Sequence, residues 1–155
     1  MSDKLDVVGI GNAMVDAIIP SNQSEIEKHE INRDSMNLID ENLKNNLHES
    51  YSIREMAGGG SLGNSMFGIT SFGGNGSFIG KIKNDEIGVY LQKDMIREGL
   101  KFPLGFTSPD ISTGCCTIFV EEDGTRTMCT FLGAGTLIGP EAVSYTHLRA
   151  HETPL

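Results

Sequence analysis

The feature that most constrains the fold is a glycine-rich stretch in the middle of the chain. Three consecutive glycines, residues 58–60, allow the backbone to approach a ligand where any Cβ would obstruct it. We expect Ser61 to cap a helix after this loop, with the amide of Asn64 one turn on and directed back toward the loop. Residues 73–74 predict the end of that helix, and residues 77–80 predict a short buried strand. The alternative is a flexible linker, against which four apolar residues argue: Met66, Phe67, Ile69 and Phe72.

Periodicity in the rest of the chain predicts an α/β fold. Residues 4–11 have the near-continuous apolar pattern of a buried parallel strand. Two apolar strands joined by Glu122-Asp123-Gly124 predict a β-hairpin over residues 114–121 and 125–132. Asp85 is expected to cap a helix that Gly99 ends. Other predicted elements are extended segments at 17–20 and 35–39 and helices over 23–30, 40–48 and 86–100.

Composition excludes several classes of function. The 155 residues carry a net charge of −9, which argues against nucleic acid or an anionic membrane surface as a partner. No apolar run approaches the ~18 residues of a membrane-spanning helix. The first residues lack the layout of a signal peptide. Cysteines that are neighbours in sequence rarely form a structural bridge, so we predict a cytoplasmic protein with reduced thiols. The three cysteines lack metal-ligand spacing and predict reduced core thiols, with a catalytic thiol as the alternative: Cys115, Cys116 and Cys129.

Three segments of the chain resemble the ribokinase/adenosine kinase (PfkB) family in order and spacing. Residues 7–16 resemble its first strand and turn, and residues 59–64 resemble its Gly-Gly-x-x-x-Asn signature. Residues 78–88 resemble the strand, turn and helix that follow. The resemblance is nearest to the adenosine-kinase-like members, because Asn12 and Asp16 are four residues apart.

The resemblance implies a ribokinase-like α/β fold, of which the chain holds the N-terminal half of a doubly wound sheet with a small β lid. Residues 1–142 would form this part of the kinase domain. The lid would consist of segments near 16–20, 35–39 and 113–132. Residues 143–155 have no counterpart in the family, and we expect a foreign or disordered tail, with a divergent natural tail as the alternative. His147 and His151 in this tail have a metal-pair spacing but no third ligand, so no metal site is predicted.

The function implied for the full-length parent is ATP-dependent phosphorylation of a primary hydroxyl of a sugar or nucleoside, with ATP and Mg²⁺. In the family the catalytic aspartate belongs to a Gly-Ala-Gly-Asp motif in the second half, whereas residues 133–136 are Gly-Ala-Gly-Thr and lack the base. We therefore expect this chain to hold the acceptor site, to contain no catalytic residue and to be inactive alone. The expected partners are a small-molecule sugar or nucleoside and a second copy bound through the lid. The alternatives are a non-catalytic carbohydrate- or nucleoside-binding module and an interaction fragment without a ligand.

The candidate acceptor residues are polar groups and glycines near the predicted strand ends. Asp16 follows a strand end, where its carboxylate can accept hydrogen bonds from two vicinal hydroxyls. The resemblance implies that Asp16 and Asn64 contact the sugar and that Gly59 and Gly60 contact the ligand through their backbone. Asn12 is a similar candidate. The alternatives are a cap for Asp16, an Asx-turn for Asn12 and ordinary helix polarity for Asn64.

An apolar wall is expected beside these groups, facing the base or sugar ring. Cys116 and Ile118 are two residues apart on one strand and therefore share a face. With Met36 they are the candidate lid contacts. Plain packing is the alternative for every member of the wall: Met14, Met36, Leu38, Cys116, Ile118 and Phe131.

Overall fold

A computed structural model of the chain describes residues 4–103, 106–108 and 110–142 and shows an α/β fold. The strands are β1 (Val7–Ile10), β2 (Met14–Pro20), β3 (Met36–Leu38), β4 (Glu55–Gly59), β5 (Gly76–Ile79), β6 (Ile82–Lys83), β7 (Phe106–Ser108), β8 (Gly114–Val120) and β9 (Arg126–Phe131). The helices are α1 (Gln23–Glu27), α2 (Glu41–Ser50), α3 (Ser61–Ser71) and α4 (Glu86–Arg97). Two 3₁₀ helices follow β9, at Gly133–Leu137 and Pro140–Ala142.

Five strands form one mixed sheet in the order β3–β9–β8–β2–β4. β2 runs parallel to β8 and antiparallel to β4, so that Asp16 lies beside Cys116 on one side and Ala57 on the other. β8 and β9 form the predicted hairpin, and Gly124 in its turn has a φ of +86°. The hairpin prediction is confirmed to within one residue at each strand end.

The two faces of this sheet differ because successive side chains of a strand point to opposite sides. The outer face is packed against α1 and α2 by one apolar cluster: Ile19, Ile26, Leu47, Phe119 and Cys129. The open face carries the alternate residues of the same strands: Met14, Asp16, Ile18, Cys116, Ile118, Met36 and Leu38. At its edge Met36 and Leu38 are 55% and 66% exposed.

A second, two-stranded sheet pairs β1 with β5 in parallel, beside α3 and α4. Every residue of β5 is buried, and its predicted position is confirmed to within one residue. Residues 4–11 were predicted to form a buried parallel strand, and the parallel pairing is confirmed. The predicted length and burial are wrong, since β1 is shorter and Val7 and Ile10 are 38% and 44% exposed. The reason is that β5 is the only strand paired with β1 among the described residues.

The glycines at residues 58–60 were predicted to form a loop, but the structure places two of them in a strand. β4 continues through Gly58 and Gly59, and only Gly60 turns the chain, with a φ of +79°. Gly60 is the N-cap of α3 and Ser61 is its first residue, so the prediction that Ser61 caps the helix is wrong. α3 ends as predicted, with Gly73 just beyond it at a φ of +85°.

Local signals account for the remaining helix ends. Asp85 caps α4 by accepting a hydrogen bond from the Gly88 N–H at 2.8 Å, which confirms its predicted role. α1 ends three residues before its predicted end, and Glu30 has a φ of +55° that no α-helix accommodates. The short β6–β7 pair was not predicted. The tail at residues 143–155, with His147 and His151, lies outside the described residues. No helix of the described part of the chain is long and apolar enough to cross a lipid bilayer.

Candidate acceptor site

Asp16 lies in the middle of the open face rather than after a strand end as predicted. It is the third residue of β2, half-buried, and it caps neither a helix nor a turn. None of the described residues donates a hydrogen bond to its carboxylate, and burial raises the pKa of that carboxyl above its ordinary value. A half-buried carboxylate without a donor has unused capacity to accept hydrogen bonds from a ligand.

Gly59 is explained by the position of this carboxylate. Gly59 is on β4, opposite Met14 of β2, and a Cβ built on Gly59 would be 2.3 Å from Cγ of Asp16. Any side chain at residue 59 would therefore displace the carboxylate. At Gly60 a Cβ would lie 3.1 Å from Cγ of Met14 and 3.8 Å from the carbonyl oxygen of Asn12.

Asn12 lies in the turn between β1 and β2 and is half-buried. Its side chain packs on Gly135, where a Cβ would approach Oδ1 of Asn12 to 2.7 Å. The 3₁₀ helix that contains Gly135 is held by a 2.8 Å hydrogen bond from the Ala134 N–H to the carbonyl oxygen of Ser112. The Gly-Ala-Gly-Thr segment therefore supports Asn12, a contact that its sequence did not indicate.

The structure thus brings four predicted residues together and leaves one apart. Asp16 and Gly59 are in contact where β2 and β4 pair. Gly60 follows directly and lies near the carbonyl oxygen of Asn12, whose side chain packs on Gly135. Asn64 is connected to them through its backbone N–H, which donates to the Gly60 carbonyl oxygen at 2.9 Å. Its side chain is exposed and bonds to none of the described residues, so the predicted return of the amide toward the loop is not observed.

The candidate lid contacts lie on the same face as Asp16. Cys116 is beside Asp16 and bonds through Sγ to Oγ1 of Thr130, at 3.3 Å. Ile118 and Met36 belong to the next row across the sheet, with Met128 between them. The prediction that Phe131 belongs to the apolar wall is wrong, because its side chain lies on the outer face of the sheet. There Nζ of Lys44 is 5.2 Å from the centroid of its ring.

The family follows from the comparison of the chain with known proteins. Residues 5–149 match the family described as "pfkB family carbohydrate kinase". The chain belongs to this family. None of the curated proteins compared with it matches significantly.

Solved structures described as adenosine kinases and a probable sugar kinase are similar to the chain over most of its length. An adenosine kinase from Sinorhizobium meliloti is 36% identical, with a TM-score of 0.83 over 94% of this chain and 44% of its own. A protein described as a probable sugar kinase from Rhizobium etli CFN 42 is 33% identical, with a TM-score of 0.80 over 90% of this chain and 42% of its own. An Anopheles gambiae adenosine kinase, at 24% identity and a TM-score of 0.76, shares the fold. The chain therefore spans less than half the length of these proteins and has their ribokinase-like fold.

The cysteines of this pfkB-family chain are buried free thiols, as predicted. Burial raises the pKa of Cys115 to about 12 and that of Cys129 to about 11. Burial also raises the pKa of Cys116. The thiols are therefore protonated at neutral pH, which argues against a catalytic thiolate.

A polar cavity of about 420 Å³ lies on the other side of the sheet, between α2 and the start of α4. Lys44, His48 and Ser112 line it, and Nζ of Lys44 is 3.2 Å from Oγ of Ser112. None of the predicted acceptor residues lines this cavity. The described residues also contain no group of three or more His, Cys, Asp or Glu side chains that could hold a metal ion.

Proposed function

We propose that the chain is the acceptor-binding part of an ATP-dependent kinase that phosphorylates a primary hydroxyl of a sugar or nucleoside of the ribose or adenosine type. The observation that carries the proposal is the half-buried Asp16 carboxylate, which has no donor among the described residues and lies on the open face. Two vicinal hydroxyls of a ribose-like ring supply the two donors that a carboxylate accepts well. Family membership, and the adenosine kinase and sugar kinase relatives, support this class of acceptor.

In this proposal the residues of the chain bind and orient the acceptor. Asp16 fixes the diol, and Gly59 leaves room for its carboxylate beside β4. Asn12, the Gly59–Gly60 backbone and Asn64 contact the ligand around it. Met36, Cys116 and Ile118 cover the ring from the apolar part of the open face. Orientation of this kind converts a bimolecular step into an effectively unimolecular one.

The described residues do not fit the phosphate donor or its Mg²⁺. Thr136 replaces the acid that the Gly-Ala-Gly segment would need, and its hydroxyl donates to the Gly133 carbonyl oxygen at 2.9 Å. A Cβ on Gly133 would lie 2.5 Å from the Ser112 carbonyl oxygen. The backbone at Ser112 therefore occupies the space beside this turn, which leaves no room there for a phosphate. We therefore propose that the chain alone transfers no phosphate. The same observation favours a second candidate, a binding module that takes up a carbohydrate or nucleoside without catalysis.

Calorimetric titration of the 155-residue chain with adenosine and with ribose tests the proposal. Asp16→Asn should weaken binding by roughly 10- to 150-fold, because a hydrogen bond to a charged group contributes about 1.5–3 kcal/mol. Glu55→Gln is the matched control, since Glu55 is an exposed carboxylate one row from Asp16 on the same sheet. Equal affinities for wild type and Asp16→Asn would show that Asp16 does not bind the acceptor. Phosphate transfer from ATP by the chain alone would show that the donor site is present after all.

The exposed part of the open face supports the proposed homodimer. Met36 and Leu38 are large apolar side chains that a single copy leaves in water. A second copy packed against this edge would bury them. Light scattering of wild type and Met36→Glu over a range of concentrations tests the contact, and an unchanged monomer mass for wild type would contradict it.

A further inference from the structure

β4 is an edge strand whose second side is taken up by a helix. An edge strand leaves backbone N–H and C=O groups without a strand partner. On β4 the N–H of Gly58 donates to Oδ2 of Asp94 at 2.8 Å, and the hydroxyl of Tyr90 donates to the carbonyl oxygen of Met56. Tyr90 and Asp94 are one turn apart on α4 and therefore share a face of that helix. The helix thus supplies one acceptor and one donor where a neighbouring strand would supply its own.

The two glycines of β4 make room for carboxylates on opposite sides of the strand. A Cβ on Gly58 would lie 2.9 Å from Oδ2 of Asp94 and 2.6 Å from the ring of Phe67. A Cβ on Gly59 would lie 2.3 Å from the Asp16 carboxylate. β4 therefore passes between Asp94 and Asp16, and its lateral position fixes the space around Asp16.

Asp94 is suited to hold the strand in this position. Its side chain is buried, and in addition to the Gly58 N–H it accepts a hydrogen bond from Arg97, whose own side chain is 68% exposed. An exposed partner contributes little to such a pair. The bond to the backbone of Gly58 is therefore the contact through which Asp94 acts.

We propose that Tyr90 and Asp94 are positioning residues of the acceptor site, which through the backbone of β4 hold Gly59 against Asp16 and the following Gly60 against Met14. This inference rests on the proposed function of Asp16. Neither residue touches the acceptor. Loss of their bonds lets β4 move away from β2 at the point where the two predicted ligand-contact glycines lie.

Amide hydrogen exchange in the 155-residue chain tests the contact itself. Asp94→Ala should raise the exchange rate of the Gly58 amide by about tenfold or more, since a bond to a charged acceptor is lost. Asp94→Asn should largely restore protection, because its amide oxygen can still accept from Gly58. Lys93→Ala is the control, an exposed residue on the same helix. A Gly58 amide that exchanges in Asp94→Ala as slowly as in wild type would overturn the inference.

Titration with adenosine and ribose tests the consequence for the site. Asp94→Ala should weaken binding by about tenfold and Tyr90→Phe by a smaller factor, while Asp94→Asn should bind like wild type. If Asp94 and Tyr90 only stabilised the fold, the affinities of the variants would follow their unfolding midpoints and not the exchange rate of the Gly58 amide. If Asp94→Ala binds normally while Asp16→Asn does not, the positioning role is wrong and the proposed function stands. If Asp16→Asn itself binds normally, the proposed function fails, and the positioning role fails with it.

Discussion

The contact between Gly59 and Asp16 can be tested by a double-mutant cycle. In Gly59→Ala the new Cβ would lie 2.3 Å from Cγ and Oδ1 of Asp16 and 2.5 Å from Oδ2, where ordinary contact begins near 3.4 Å. The overlap exceeds 1 Å, so the carboxylate must rotate or β4 must move. Overpacking of this kind costs about 1–3 kcal/mol. We therefore expect Gly59→Ala to lower the free energy of unfolding by that amount.

Gly59→Ala should not lower the free energy of unfolding once the Asp16 carboxylate has been removed. In an Asp16→Ala background, Gly59→Ala has space for its methyl group and restricts the unfolded chain, an effect worth about 0.4–1 kcal/mol of stabilisation. Urea unfolding of the four proteins, followed by circular dichroism, gives the coupling energy between the two positions. Gly68→Ala in α3 is the control, because a Cβ there meets nothing within 4 Å and should stabilise both backgrounds alike. A coupling below about 0.5 kcal/mol would show that the two positions are independent and refute the steric account.

Three further outcomes are expected. Asp85→Ala should lower the free energy of unfolding by about 2–4 kcal/mol, more than the loss of a helix cap alone. The reason is that Asp85 also accepts hydrogen bonds from the N–H and hydroxyl of Thr113, at 2.9 Å and 2.7 Å. A loss of about 1 kcal/mol or less in urea unfolding would show that Asp85 acts only as the cap. The pKa of Asp16 is raised in the folded state, so its ionisation opposes folding, and stability should fall as pH rises from 3.8 through the folded pKa. Asp16→Asn should remove this part of the pH dependence and stabilise the chain at neutral pH, and unfolding midpoints that are lower in Asp16→Asn at pH 7 would contradict the sign. The three buried cysteines should react with a thiol reagent only after unfolding, since burial keeps them protonated; rapid labelling of the native chain, measured by mass spectrometry, would show an accessible thiolate.

Elements with a strong local signal were predicted well from the sequence. The turn at Gly124 and the cap at Asp85 depend on a few adjacent residues, and both are confirmed. The family motifs placed Asn12, Asp16, Gly59 and Gly60 in one group, and the structure brings these four together. Their contact with a ligand stays a prediction.

Features that depend on distant contacts were missed. Glycine has a low strand propensity, so Gly58 and Gly59 indicated a loop, whereas pairing with β2 and the bonds from α4 hold them in a strand. Asp94 received no role, although a carboxylate on the apolar face of a predicted helix, between Leu91 and Met95, was a usable signal. The exposure of β1 depends on which strands surround it, and periodicity carries no information on that point.

The pairing of the five-stranded sheet has a consequence for the order in which the chain folds during synthesis. β2 pairs in parallel with β8, which lies about 100 residues later in the sequence, as the pairing of Asp16 with Cys116 shows. The separation between β3 and its partner β9 is almost as large. At roughly 5–20 residues per second the ribosome needs about 5–20 s to reach the hairpin. Until then β2 has only β4 beside it in this sheet, and Ile19 lacks the part of its apolar cluster that Phe119 and Cys129 supply. Synthesis of the hairpin is therefore the step that completes both the sheet and this cluster.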